Sequence, residues 1–588
     1  MTTTKETDIL IVGAGPTGLA LALELAAQQV SFRIIDKAAR RSPHSRAIVV
    51  QPRTLEVLRR HGDVGGLLAR GTVAAGTTVC VAGRRVADLD LELARIRRGT
   101  AFPLPLAVSQ RDTEEWLEAR LAERGFRAEL GVEAREIAQD EGGVTVRIGP
   151  AAAVDRGEGG DNREEGVEEI VRAKYVVGAD GAHSCVRHAA ANMTFEGEAY
   201  PQEFILADTR IETQAKTDRA YMCFGRGVMV FLPMWDGFVR LVVSRPANAD
   251  ASPGAAEGLP PARLEDFQDF LNQVFPGGGT LHDPAWLTRF RLHHRGVNRY
   301  RDGRLLVAGD AAHIHSPAGG QGMNTGIQDA ANLGWKLGAV LRRSGDDGDS
   351  SSSSRNKSSS LLLLLDSYHA ERHPVGRHLL RNSDASFAYV ASTNPVFVYL
   401  RNLVLPWVLP WLLASRRLVA RQFEFISQLR VRYRHSSGSV SNAIVGTAPG
   451  FQGPIRGGDR AADGKIRVAG DGGAEGEGGE KWFQELFSPE SHHLVLFSSG
   501  GGGGAASEGG LHRAEARFLE HVDAAARVKV HALLSEERGG GGGYVDVGGE
   551  LHRMYGFEDG AGYVLVRPDG YVAHIGPLSA LDGASEWL

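Results

Sequence analysis

The first residues whose types and spacing could do chemistry are Gly13, Gly15 and Gly18, in "ILIVGAGPTGLALALELA", together with Asp36 at the end of "SFRIID". In a strand–turn–helix, the first glycine allows the tight turn. The second lets backbone N–H groups reach a pyrophosphate, and the third lets helix and strand pack closely. The helix start adds partial positive charge for the phosphates. Asp36 ends a second apolar run at the place where a carboxylate accepts hydrogen bonds from ribose hydroxyls. The stretch therefore predicts dinucleotide binding. Asp36 disfavours a 2′-phosphate on that ribose, which leaves NAD or FAD and does not separate them.

A second cluster separates them. "RLLVAGDAAHIHSPAGGQGMNTGIQDAANLGWKL" reads as a strand ending in Gly309 and Asp310, a Pro/Gly loop, and a long helix from about 322 to 342. An acid beside a glycine at a strand end can bind a ribityl hydroxyl. Gly319, Gly320 and Gly322 bring N–H groups at the helix start against an electron-rich ring edge, which gains negative charge on reduction. That pattern selects FAD. His313 and His315 flank the loop, either as proton relays or as loop histidines satisfied by backbone.

With "GADGAHSCVR" (178–187) added, the chain resembles the FAD-dependent aromatic hydroxylases, the single-component flavin monooxygenases that include p-hydroxybenzoate and phenol hydroxylases. The resemblance implies an α/β chain. It would comprise a Rossmann-type FAD-binding domain, an interleaved β-sheet substrate domain, and a C-terminal thioredoxin-like α/β domain. The implied boundaries are 1–190 and 296–390 for the FAD-binding domain, 191–295 for the substrate domain, 391–440 for a helical segment, and 441–588 for the last unit. It also implies cofactor contacts from Arg46 near the flavin entrance, Gln110 on the ribityl chain, Asp180 in the 178–187 motif, and Met323 and Asn324 where the long helix opens. NAD(P)H would reduce FAD, and O2 would then give a C4a-hydroperoxyflavin that hydroxylates a phenolic or polycyclic aromatic substrate. Such chemistry needs a proton relay and exclusion of water. No catalytic base is named from the sequence, and no metal site is expected. Baeyer–Villiger-type or epoxidation chemistry on a polyketide-like substrate is the alternative reading, and a flavin-binding scaffold without turnover is another.

These motifs need elements to hold them. The middle segment, 195–300, with alternating strands around 203–245, is expected to form a sheet roofing the flavin. Its candidate lining residues are Tyr221, Phe224, Arg226, Phe231, Met234, Trp235 and Arg240, about half of which strand alternation must turn away. "DSYHAERHPVG" reads as a helix closing the flavin domain. The runs 151–169, 344–360, 500–504 and 539–543 are low in complexity and read as exposed loop expansions. In 441–588, "LVRPDGYVAHI" resembles the last strand pair of the thioredoxin-like unit. No cysteine follows Cys223, so dithiol exchange is not its work. Packing or dimerisation is the role left to it, and a homodimer is among the expected assemblies.

Composition narrows the rest. The formal charge of −5 over 588 residues, without a basic block, argues against nucleic acid. Cys80, Cys185 and Cys223 are far apart in sequence, which fits neither a disulfide framework nor a zinc site and suggests a reducing, cytoplasmic setting. In "NPVFVYLRNLVLPWVLPWLLASRRL" (394–418), Arg401 and Asn402 interrupt the apolar run, and Pro406 and Pro410 are expected to break its helix. The stretch reads as a core or interface helix, with a monotopic surface contact as the alternative, rather than as a span.

Overall fold

The computed structural model describes residues 4–588 except 74–75, 91–98, 152–167, 217, 246–260, 316–318, 345–352, 391, 393, 435–443, 470–478, 499–507, 524–525 and 536–542. Most of the low-complexity runs, and the Ser316–Ala318 part of the flavin loop, therefore lie outside the described residues.

The apolar run before Gly13 forms strand Thr4–Val12. It pairs in parallel with Phe32–Asp36 on one side and Glu169–Gly178 on the other, and Leu305–Val307 extends the sheet in parallel beyond Glu169–Gly178. Strands Val132–Gln139 and Val144–Pro150 join antiparallel. Both sides of such a sheet must be covered, which explains the near-continuous Ile/Leu/Val runs. Helix Pro16–Ala27, buried along most of its length, packs against helix Gly322–Ser344. The parallel strands thus end their C-terminal edges at Gly13, Asp36, Gly178 and Gly309, where the motifs begin.

A second sheet is antiparallel except where Ala220–Phe224 pairs in parallel with Gly76–Val81. Its order runs His313–Ile314, Thr280–Val297, Phe195–Glu212, Phe238–Arg245, Val228–Pro233, Ala220–Phe224, Gly76–Val81, Arg84–Asp90. It thus recruits two strands from well before residue 191. Cys80 and Cys223, distant in sequence, are register partners on those two parallel strands and stand as free thiols. One face of this sheet is a closed core under helix Leu264–Val274, with Phe231, Leu241, Phe267 and Leu271 fully buried.

A third sheet uses 446–577. His492–Ser498 pairs in parallel with Val528–Leu534 and antiparallel with Gly562–Val566, which in turn pairs with Val572–Pro577. Buried ion pairs fasten this unit to the first. The Arg567 guanidinium donates to both Glu371 oxygens at 2.6 and 2.9 Å, and Lys336 Nζ lies 2.8 Å from the same carboxylate. Burial alone would raise Glu371, but Arg567 and Lys336 outweigh it and hold its carboxyl down to about 2. Burial pulls Lys336 down to about 8 against the attraction of Glu371.

Two expectations change. Helix Ser353–Val390 reaches back into the serine-rich run read as an exposed loop expansion, with Pro374 inside it. Helix Pro395–Ala414 is continuous through Pro406 and Pro410. Each proline removes one N–H from the ladder, which an exposed helix tolerates because water can take the freed carbonyls. This helix is long and apolar enough to cross a bilayer, yet only 11% of its most apolar window is buried, so it is not a core helix.

Candidate active site

The glycines at the first strand end meet steric limits of different origin. Gly13 has φ +102°, and a Cβ there would lie 2.4 Å from the Ala179 carbonyl oxygen. A Cβ at Gly18 would lie 1.9 Å from the Gly13 oxygen. Both are demanded by the fold itself. Gly15, the N-cap of Pro16–Ala27, is different. A Cβ there would meet nothing within 4 Å. The space it faces is open, as a phosphate-binding turn requires. The Asp36 carboxylate closes the turn, accepting from the N–H groups of Ala14 at 2.7 Å and Ala38 at 2.8 Å.

The other predicted residues converge on this turn. Asp180 follows Gly178 directly across from Gly13. One of its carboxylate oxygens accepts from the Cys185 N–H at 2.7 Å, while the other is buried without a partner. A buried orphan oxygen is costly in a finished structure, so it marks a place for a hydrogen-bond donor. Burial, reinforced by this carboxylate, pushes the Cys185 thiol up to about 12 and keeps it an inert neutral group. Gly309 touches the turn through Thr17, whose Oγ1 would lie 2.5 Å from a Cβ at Gly309 and 2.2 Å from one at Gly326. Thr17 is thus a packing hinge between the two glycine motifs that the spacing of glycines alone does not reveal.

Asp310 is the one exposed residue between Leu305 and His313. Solvent reaches Asp310, yet protein atoms surround its carboxyl closely. Burial there raises its carboxyl, against His313 and Arg46, which lower it. Arg46 is exposed beside it. Gln110 opens helix Gln110–Glu123 after the Ser109 cap, whose hydroxyl oxygen accepts from the Asp112 N–H at 2.8 Å. Its side chain accepts from the Ala47 N–H at 3.2 Å and donates to Glu114 at 2.8 Å, tying the Arg46 segment to this helix.

At the long helix, Asn324 Nδ2 donates to the carbonyls of Val49 (2.9 Å) and Gly320 (2.7 Å), and its Oδ1 accepts from the Gln51 N–H at 2.8 Å. Gln51 Nε2 donates to the Gly319 carbonyl at 2.8 Å. Gln51 is a clamp missed in the sequence; its only cue is its place as helix N-cap before Pro52. Gly319 and Gly320 have positive φ, and a Cβ at Gly320 would press on Val49 at 3.2 Å. Gly322 begins the helix beside His315, and Met323 is half-buried against the core. His313 is neither a relay in the open nor a backbone-satisfied loop residue. It is buried, with Nε2 2.8 Å from Asp329, which also takes Arg372 Nε at 2.7 Å.

The roof sheet sorts its candidates by parity. Tyr221 and Phe231 point into the core under Leu264–Val274, and the Tyr221 hydroxyl donates to the Lys216 carbonyl at 2.7 Å. Phe224 packs beneath the Arg401 guanidinium, and Arg226 is exposed in a turn. Met234 and Trp235 sit half-exposed at the turn before Phe238. Of these candidates, Arg240 reaches the Ser45–Arg46 segment. It forms a two-bond pair with Asp208, both bonds 2.7 Å, and donates to the carbonyls of Ser45 (2.6 Å) and Arg46 (2.9 Å). The opposite-parity neighbours share that face. They include Leu232, Val242, Phe204, Phe290 and Trp286, the last stacked on His44 at 4.9 Å.

Known proteins resemble this chain over much or all of its length. A sequence profile described as "FAD binding domain" matches residues 6–383. A 6-methylpretetramide 4-monooxygenase of Streptomyces rimosus is 32% identical, across 97% of this chain and 91% of the relative. The chain belongs to the FAD-dependent aromatic hydroxylases. A pentachlorophenol 4-monooxygenase of Sphingobium chlorophenolicum is 32% identical over 64% of each chain. The solved anhydrotetracycline hydroxylase of Streptomyces rimosus superposes with a TM-score of 0.65 at 28% identity, covering 98% of this chain and 96% of that one. The protein is thus an FAD-dependent monooxygenase of α/β fold. The open space at Gly15, the orphan Asp180 oxygen and the accessible Asp310 fit the cofactor.

Proposed function

We propose that this hydroxylase adds a hydroxyl group to a phenolic, polycyclic aromatic substrate of polyketide type, with NAD(P)H as electron donor. The observation that carries the reading is the roof face around Arg240. Half-exposed apolar side chains (Leu232, Val242, Phe290) lie on the same sheet face as Arg240, which bonds to the Arg46 segment, with Trp286 stacked on His44. A broad apolar and aromatic surface suits a planar ring system. The full-length relative named for 6-methylpretetramide supports the substrate class.

In this reading the Gly15 turn takes the FAD pyrophosphate, Asp36 the ribose, and Gln110 and Asp310 the ribityl chain. Arg46, Asp180, Gly309, Gly320, Gly322, Met323 and Asn324 complete the cradle. Bound FAD, once reduced, supplies the activated oxygen that transfers to the ring. The chain's own contribution is placement. Asp208 holds the Arg240 guanidinium, which holds the carbonyls of Ser45 and Arg46 and so fixes the wall between cofactor and roof. The apolar roof excludes water, which protects the oxidant. We also read 441–588 as a thioredoxin-like unit with a packing role.

The test is a panel of polycyclic phenols, scored by acceleration of NAD(P)H oxidation and by product mass. Hydroxylated product formed in step with nicotinamide consumption supports the proposal. Acceleration only by single-ring phenols, or oxygen inserted beside a ketone, refutes it.

A further inference from the structure

The geometry points to helix Pro395–Ala414 as a docking surface for an anionic lipid bilayer, on which the enzyme lies without crossing it. The helix has a mean hydropathy of 1.6 over its most apolar window. Its outward face is apolar and bare, with Trp407 81% and Trp411 75% exposed, and Tyr399, Leu403 and Val404 beside them. A patch of this kind on a folded surface calls for an apolar partner.

The inward face shows why the helix cannot span. Arg401 is buried against Phe224, its guanidinium 4.8 Å from the ring, and donates to the carbonyls of Val390 at 2.8 Å and Gly225 at 3.2 Å. Asn402 donates to the same Gly225 carbonyl at 3.1 Å. Leu405 and Leu409 pack on the cluster of Val79, Val81, Phe224 and Val228. The helix is therefore held lengthwise on the roof sheet, with one side fixed and the other open. That is the posture of an interfacial helix, with tryptophans at the headgroup level.

Charge selects the occupant. Between Asp384 and Glu424 the sequence holds four arginines and no acidic residue, in a chain of formal charge −5. Arg401 is the buried one. Arg416, Arg417 and Arg421 are exposed on helix Arg416–Ile426, directly beyond the apolar face. A second copy joined two-fold through this helix could cover the tryptophans, but this segment of the partner would bring arginines and no carboxylate. Anionic headgroups answer the arginines, and the acyl boundary takes the apolar side chains.

The test uses the full-length FAD-loaded enzyme in flotation with vesicles of phosphatidylcholine alone and of phosphatidylcholine mixed with phosphatidylglycerol. The protein is expected to float with the mixed vesicles only, with tryptophan emission shifted to the blue. The double variant Trp407→Ser, Trp411→Ser should stay behind while its flavin spectrum and sedimentation remain those of the parent. Arg416→Gln, Arg417→Gln and Arg421→Gln should each weaken partitioning about fivefold at low salt. Absence of flotation, equal flotation with both vesicles, or flotation retained by the tryptophan double variant overturns the assignment. So does a dimer that the same double variant splits, which would give the face to a second copy.

Discussion

Gly15 and Gly18 lie three residues apart in one motif, and their Cβ positions predict opposite phenotypes. A methyl at Gly18 would sit 1.9 Å from the Gly13 carbonyl oxygen. Ordinary C···O contacts begin near about 3.3 Å, so helix and turn must separate. Overpacking of that kind costs about 1–3 kcal/mol or more. A methyl at Gly15 meets no protein atom within 4 Å, and its φ of −72° is open to any residue. Alanine is a poorer N-cap than glycine, but it also restricts the unfolded chain. These terms oppose each other and leave a net change of less than about 1 kcal/mol. The same methyl stands where backbone N–H groups should meet the pyrophosphate. Loss of one charge-assisted hydrogen bond, about 1.5–3 kcal/mol, weakens FAD binding about 10- to 150-fold. FAD-free protein should be melted, then titrated with FAD while flavin fluorescence is followed. Gly18→Ala should melt early. Gly15→Ala should melt with the parent and bind FAD weakly. Parent-like FAD affinity in Gly15→Ala, or an apo melting loss as large as that of Gly18→Ala, would refute the reasoning.

Parity on the roof sheet gives a second pair. Phe231→Ala opens the core under Leu264–Val274 and should cost about 3–5 kcal/mol of stability. Leu232→Ala, one residue away on the half-exposed face, should leave the melting temperature nearly unchanged and raise KM for the aromatic substrate; equal melting losses would contradict the facing assigned here. The Glu371 network sets an acid limit. Its folded pKa, about 2, lies below the ordinary 4.5, so its contribution is whole above about pH 4.5 and fades as pH falls toward 2. Trp335, with the Arg567 guanidinium 5.2 Å from its ring, should report the loosening by fluorescence in that window. Glu371→Gln should remove the transition and cost about 3–5 kcal/mol by leaving buried cations unpaired. An unchanged acid profile in that variant would exclude Glu371 as its source.

The parts of this site that were legible in sequence are those enforced over short distances. Gly13 and Gly18 are readable because the chain within a few residues, or the adjoining strand, leaves no room for a Cβ. Asp36 is readable because a strand end and a helix start can bring a carboxylate to Ala14 only in one way. The roof was half legible. Alternation requires that some of Tyr221, Phe224, Phe231 and Arg240 turn away, but the choice of face is made by helix Leu264–Val274, which covers Phe231, and by Asp208, which draws Arg240 toward Ser45. Neither partner is adjacent in sequence. The same limit hid the pairing of Cys80 with Cys223 and the bond from Arg567 to Glu371, whose residues are 196 apart in the chain. The apolar run 403–414 stays open between a core and an interface helix for another reason. Hydropathy reads how much a helix prefers to leave water, not which side has already been satisfied. Once Arg401, Asn402, Leu405 and Leu409 bind one side to the roof, the tryptophans on the other side remain bare. Composition alone describes a core helix and a surface helix in identical terms, and only the register against the sheet tells them apart.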